Sequence, residues 1–164
     1  MNYAQAISDG FPGVVFSAPG DGSIYSEIEW ISGTPPTQEE LDNFISTAIK
    51  DNIWEKIKEE RDRRKLDSGY KVGEFWFHSD NTSRIQQIAL VILGANMPSG
   101  LLWKTMAGTF VPMTPTLAGQ IFATAAASDT TLFGVAEVKK QEVYASEDPE
   151  SIDIMTGWPL GDGE

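Results

Sequence analysis

GYKVGEFWFHSDNTSRIQQIALVIL, residues 69–93, is followed by GLLWKTMAGTFVPMTPTLAGQIFATA, residues 100–125, and the two stretches share one layout. In each, two short apolar runs flank a glycine-bearing turn and lead into a capped segment with helical periodicity. Gly73-Glu74 suits a two-residue type II′ turn, and Gly108 supplies the positive φ of a three-residue turn over Met106-Ala107-Gly108. Asp80-Asn81 opens the first helix. Thr114-Pro115 opens the second, with Pro115 at the first helical position, where a missing N–H costs nothing. Phe77 precedes Ile88 by the same interval that Phe110 precedes Ile121. These are two strand–strand–helix units in tandem, a layout built for packing that contains no catalytic constellation.

Upstream, Thr37-Gln38-Glu39-Glu40 reads as a capping box, with Thr37 at the N-cap and Glu40 three residues on. Leu41, Phe44/Ile45, Ala48/Ile49, Ile53 and Ile57 recur behind it at helical spacing, so one helix is predicted from 37 to about 66, ended by Asp67-Ser68-Gly69. At ~40 Å it is long for a small domain, and its Ile45/Ile49/Ile53/Ile57 stripe suits a partner, a coiled coil or a plain core face. The helix from Thr114 continues through Leu117, Ile121, Ala125, Leu132 and Val143, with Ser128-Asp129 as a candidate break. Residues 14–16 and 24–31 are strand candidates joined by the turn cluster Ala18-Pro19-Gly20-Asp21-Gly22. The fold class is therefore α+β: a long helix, two tandem β-hairpin–helix units and a long C-terminal helix, preceded by a small β arm. The expected division is an N-terminal β arm at 1–36, a core domain at 37–145 and an acidic C-terminal arm at 146–164.

Charge is unevenly spread. The net charge of the 164-residue chain is -12. Residues 1–49 carry -7 with no Lys or Arg, residues 50–140 carry +2, and residues 141–164 carry -7. Nucleic-acid binding needs an uncompensated basic face. Here the basic cluster at 53–66 is interleaved with Glu55, Glu59, Glu60 and Asp62, and Glu60–Arg64 and Glu59–Arg63 stand at pairing distance along a helix. A solvated, self-paired face is expected there, and no nucleic-acid partner. No apolar run reaches the ~20 residues of a membrane span, so no membrane partner is expected either. With no Cys, thiolate-metal and disulfide scaffolds are excluded.

Candidate sites are few. His78, the single histidine, lies near Asp80 and Glu74, but no second His or Cys completes a transition-metal set, and Asp80 is better used as a helix cap. The acid pairs Asp9/Asp21 and Glu27/Glu29 carry little weight in a chain with 24 acids. No phosphate loop or Gly-x-Ser-x-Gly turn is present. No catalytic, metal or cofactor residue is predicted. Of the five tryptophans, Trp54, Trp76 and Trp103 fall in periodic elements. Trp30 and Trp158 sit in the acidic arms, where an indole is a common interface anchor. The expected partner-binding residues are Trp158, Pro159, Ile154 and Trp30, with the C-terminal arm an ordered strap along its own hairpins or in a partner's groove.

Residues 53–64, IWEKIKEERDRR, resemble the opening of an uncharacterised domain found at the C-termini of bacteriophage tail-fibre and tail-assembly proteins. Phe77-His78-Ser79-Asp80, Ser83-Arg84 and residues 103–111, WKTMAGTFV, are similar to it in the same order. Residues 152–159, IDIMTGWP, look like the short terminal motif that follows that domain. The resemblance spans roughly 53–159 and implies a phage tail context without enzymatic activity, in the virion tail or in the host cytoplasm during assembly. The implied partner is a tail-fibre or baseplate protein, met as an assembly chaperone or an attachment component, and the long N-terminal helix is a candidate seam for a homo-oligomer. The alternative is a virion tip module on which Trp76, Trp103 or Phe75 stack against host carbohydrate.

Overall fold

The computed structural model describes residues 1–163. Its elements in order are α1 (Tyr3–Gly10), β1 (Val15–Ser17), β2 (Glu29–Ser32), α2 (Gln38–Asp67), β3 (Tyr70–Val72), β4 (Phe75–Phe77), α3 (Asn81–Leu93), β5 (Leu102–Lys104), β6 (Phe110–Pro112) and α4 (Pro115–Ala145). Helix accounts for 56% and strand for 12%, so the fold is α+β. The strands form three separate antiparallel pairs, β1–β2, β3–β4 and β5–β6. The chain forms two compact units, one of Met1–Glu55 with Val143–Ile152, the other of Lys56–Glu142 with Asp153–Glu164.

Local chemistry explains the long elements. Thr37 and Glu40 close the capping box: the Glu40 N–H donates to Thr37 Oγ1 at 3.2 Å and the Thr37 N–H to Glu40 Oε2 at 2.7 Å. Asp80 caps α3 by accepting the Ser83 N–H at 3.0 Å. Thr114 does the same for α4 with the Leu117 N–H at 3.1 Å. Helix α4 runs through Ser128-Asp129 without a break. The Asp129 carboxylate bonds Arg84 at 2.9 and 3.0 Å instead of competing for its own backbone.

Two-stranded hairpins are marginal alone, and those of the second unit are stable because they share one core. Tyr70 and Phe77 of the first hairpin, Val111 of the second, Met113, Leu90 of α3 and Ile121 of α4 form a single buried cluster. Gly73 has φ 61° while Glu74 keeps a negative φ, as a type II′ turn requires. The second turn closes with Thr105 N–H to Thr109 O at 2.8 Å around Met106–Ala107–Gly108. The Met106 N–H then donates to the Trp76 carbonyl at 2.9 Å, joining one hairpin to the other. Despite their matched spacing, the tandem units are not equivalent in burial. Phe77 and Ile121 are fully buried, whereas Phe110 and Ile88 are largely exposed.

The N-terminal segment forms the predicted small β arm, with β1 paired antiparallel to β2, but adds a helix not predicted from sequence. It opens with helix α1, and residues 25–27 form a short helical turn, so the second strand shrinks to Glu29–Ser32. Eight residues cannot hold a helix on propensity. Asn2 caps α1 through the Gln5 N–H at 2.8 Å, and Ala6 and Ile7 pack with Ile28 and Leu41 in a core of the first unit. That burial is a tertiary contribution with little periodic signal in so short a stretch.

The second-unit core makes a direct prediction. Phe77→Ala empties a fully buried site and is expected to destabilise the chain by ~3–5 kcal/mol, measured by urea unfolding, while Phe110→Ala changes stability by less than ~1 kcal/mol.

Candidate functional site

The C-terminal arm carries three of the four predicted interface residues, and the structure ties it down along its length. Asp153 begins it with a compact turn, its carboxylate accepting the Met155 N–H at 2.9 Å and the Thr156 N–H at 3.2 Å. The Thr156 hydroxyl and these two amides hold the Asp153 carboxyl below its ordinary range. Gly157, with φ 78°, reverses the chain. Trp158 then folds back, its indole N–H donating to the Ile154 carbonyl at 2.9 Å, and its ring is only 6% exposed.

The rest of the second unit grips this turn. Lys139 of α4, buried, donates to the Asp153 carbonyl at 3.1 Å and holds its ammonium 5.8 Å from the Trp158 ring centroid. Arg64 of α2 donates to the Pro159 carbonyl at 3.1 Å. Farther on, the Asp162 N–H bonds the Ser68 carbonyl at 2.9 Å. Gly161 passes so close that a Cβ there would lie 2.8 Å from that of Ser68.

Arg64 reaches the arm because Glu60 positions it. Glu60 Oε1 receives Arg64 Nε at 2.6 Å, and Arg63 gives the same carboxylate two hydrogen bonds of 2.8 Å. The Arg63 hydrogen bonds, opposed by burial and aided by Arg64, bring the Glu60 carboxyl down to about 2. The predicted self-pairing along α2 thus forms at Glu60–Arg64, with Arg63 turned to Glu60 as well. The face is only partly solvated: Glu55, Lys56, Glu59, Asp62 and Arg63 are exposed, while Glu60 is covered. Glu60 is 7% exposed, and Arg61 lies 4.4 Å from the Phe133 ring centroid. The interleaved charges lie partly under other elements because α4 and the arm cover them, which pattern alone does not reveal.

The structure therefore brings Ile154, Trp158 and Pro159 together, with the indole buried by its own chain. The side chains this arrangement holds outward are Met155, 56% exposed, and Leu160, 74% exposed. Trp30 belongs to the first unit, half-buried beside Phe16 at 6.5 Å and Tyr25 at 5.9 Å between ring centroids. Among the described residues no group of three His, Cys, Asp or Glu side chains is placed to hold a metal. Asp80 is engaged as the α3 cap, and the His78 carbonyl accepts the Gln87 amide at 2.8 Å. His78 does line an open cleft of about 360 Å³ with Ser83, Gln86, Trp103, Lys104 and Phe110. No helix among the described residues is long and apolar enough to cross a membrane.

The family model described as Domain of unknown function (DUF4376) matches residues 48–156, more than half of the chain. The chain belongs to this family. The DUF4376 match takes in both hairpin–helix units, the Glu60–Arg64 pair, Lys139 and Ile154, and stops two residues before Trp158. No curated protein and no solved structure matches the chain.

One surface escaped sequence reading. Ile85, Ile88 and Ile92 of α3 are 68%, 43% and 79% exposed. Their i, i+3, i+7 spacing was a readable signal, but Leu90 and Val91 offer a competing apolar stripe on the same helix, and only the packed structure shows which faces inward.

Two outcomes follow from the arm. Trp158→Ala is expected to lower stability by ~3 kcal/mol or more and to make residues beyond 152 the first site of limited proteolysis. Glu60 has a depressed folded-state pKa, so its contribution is present above the ordinary 4.5 and fades as pH falls toward about 2. Allowing for the exposure of Arg63, Glu60→Gln should remove on the order of 2 kcal/mol at pH 7, and the difference from the native chain should shrink across that acid window.

Proposed function

We propose that this protein is a bacteriophage tail-associated component that works by protein–protein contact with a tail-fibre or baseplate partner, as an assembly chaperone or attachment piece. It acts without catalysis, in the virion tail or in the host cytoplasm during assembly. The resemblance of residues 53–64, 77–84, 103–111 and 152–159 to the tail-fibre and tail-assembly domain supports the tail context. The observation that carries contact as the mode of action is the docked arm. Trp158 is spent internally, and the same turn presents Met155 and Leu160 outward from an acidic segment. Apolar side chains held in place need no ordering when a partner arrives, which lowers the cost of association. An acidic rim around them favours a partner of the opposite charge and discourages non-specific collapse.

A second reading, carbohydrate binding, draws on the cleft lined by Trp103, Phe110, His78 and Gln86. An aromatic wall beside hydrogen-bonding side chains is the composition a sugar ring needs. The two readings differ in where they act. Co-expression with the tail-fibre protein of the same phage, followed by pull-down, should recover a complex, and Met155→Ser/Leu160→Ser should weaken it at least ~tenfold, or ~1.4 kcal/mol. Absence of any complex, together with saturable quenching of tryptophan fluorescence by glycan that Trp103→Ala abolishes, would reverse the assignment.

A further inference from the structure

Helix α3 is inverted for a helix that serves only its own chain. It buries Gln87 at 3% and Leu90 at 9% exposure, while Ile85, Ile88 and Ile92 face solvent. The inward Gln87 is satisfied by its 2.8 Å bond to the His78 carbonyl. The outward isoleucines have no matching account within the monomer. β-branched residues lose rotamer freedom in a helix, and solvent-facing helical positions are better filled by Ala, Glu, Lys or Gln. The i, i+3, i+7 spacing is that of a helix that pairs with another helix. Next to it, Phe122 of α4 is 47% exposed, and Ala125 and Ala126 line a shallow cleft with Ile88. Together these side chains expose roughly 500 Å² of apolar surface, the size of the largest patch on a typical monomer, which is often a functional one.

We propose that this face binds a second copy of the same chain, α3 packing antiparallel on α3 about a two-fold axis near Ile88. Charge, area and symmetry select that occupant. The chain is strongly acidic, yet α3 contains no Asp, Glu or Lys, and its one charged residue, Arg84, is bonded to Asp129. The patch offers nothing to draw in a basic partner, and α3 itself sets no carboxylate against an identical copy. Two such faces would remove roughly 1,000 Å² from water, the lower bound for a biological interface and the size of a weak, reversible one. In the antiparallel arrangement Ile85 of one copy meets Ile92 of the other and Ile88 meets its own counterpart, the self-complementarity a two-fold contact requires. Of the stripe predicted along α2, Ile53 and Ile57 are buried by their own chain and Ile45 and Ile49 are partly buried, whereas the α3 isoleucines are exposed. This pairing does not depend on the tail assignment.

Sedimentation of the full chain tests it. The native protein should sediment as a dimer at ~100 µM, and Ile85→Gln/Ile92→Gln should raise the dissociation constant at least ~tenfold. Both positions are already exposed, so the variant should melt within a few degrees of the dissociated native chain. The absence of Cys gives a second measurement. Ile88→Cys should form a disulfide-linked dimer under mild oxidation, whereas Ser26→Cys, exposed in the first unit, should not. A native chain that is monomeric at that concentration would overturn the proposal, as would a dimer indifferent to the double substitution or equal cross-linking of the two cysteine variants. So would a patch that stays open in the pure protein and is covered only when a tail-fibre protein is added.

Discussion

The second unit depends on the guanidinium of Arg84. Its Nε donates to the Ser79 carbonyl at 2.7 Å, one terminal nitrogen to the Lys65 carbonyl at 2.8 Å, and both terminal nitrogens to Asp129. The same group lies 5.2 Å from the Tyr70 ring centroid. One planar fork thus fixes the last turn of α2, the exit from β4, the first turn of α3 and the middle of α4. Burial alone would raise the Asp129 carboxyl, but Arg84 and then Lys65 hold it below its ordinary range. A lysine has no fork to spread over four acceptors. Because Arg84 points inward, the rotation of α3 about its axis is set: Gln87 and Leu90 follow it into the core. Ile85 and Ile92 lie nearly opposite Gln87 and Leu90, roughly 140–160° round the helix, and are left outside, with Ile88 at the edge of that face.

The C-terminal arm follows a related logic. A segment with six acids and no base has little reason to settle on a chain that is itself acidic. It settles where buried cations meet backbone carbonyls: Lys139 on Asp153 and Arg64 on Pro159. Those carbonyls bring partial charge without net charge, so the arm docks through its backbone while its carboxylates stay in solvent. Glu60 completes the arrangement by setting a buried carboxylate against Arg63 and Arg64.

The hairpins show how little sheet is needed when turns are well specified. Each pair has three residues per strand, too few to persist in water. Turn geometry at Gly73 and Gly108, one hydrogen bond between Met106 and Trp76, and a shared cluster around Phe77 and Ile121 make them a single folded body.

Local chemistry is what the sequence by itself determined. The capping residues Thr37, Asp80 and Thr114, the glycine turns, the helix lengths and the Glu60–Arg64 pair each rest on groups within a few positions of one another, and so they were legible. Helix α1 was not, because a short helix is held by Leu41 and Ile28 from elsewhere in the chain. Nor was the fate of Trp158. Its indole proton goes to Ile154, but the cover that buries its ring includes Lys139 of α4, nineteen residues upstream in sequence. Whether an apolar stripe faces core or solvent was likewise left open on α3, where two stripes compete and periodicity cannot choose between them. Tertiary structure chose, through the long-range bond of Arg84 to Asp129, 45 residues away. A contact at that separation stabilises a helix setting only after the chain between has folded, so no local pattern could record it.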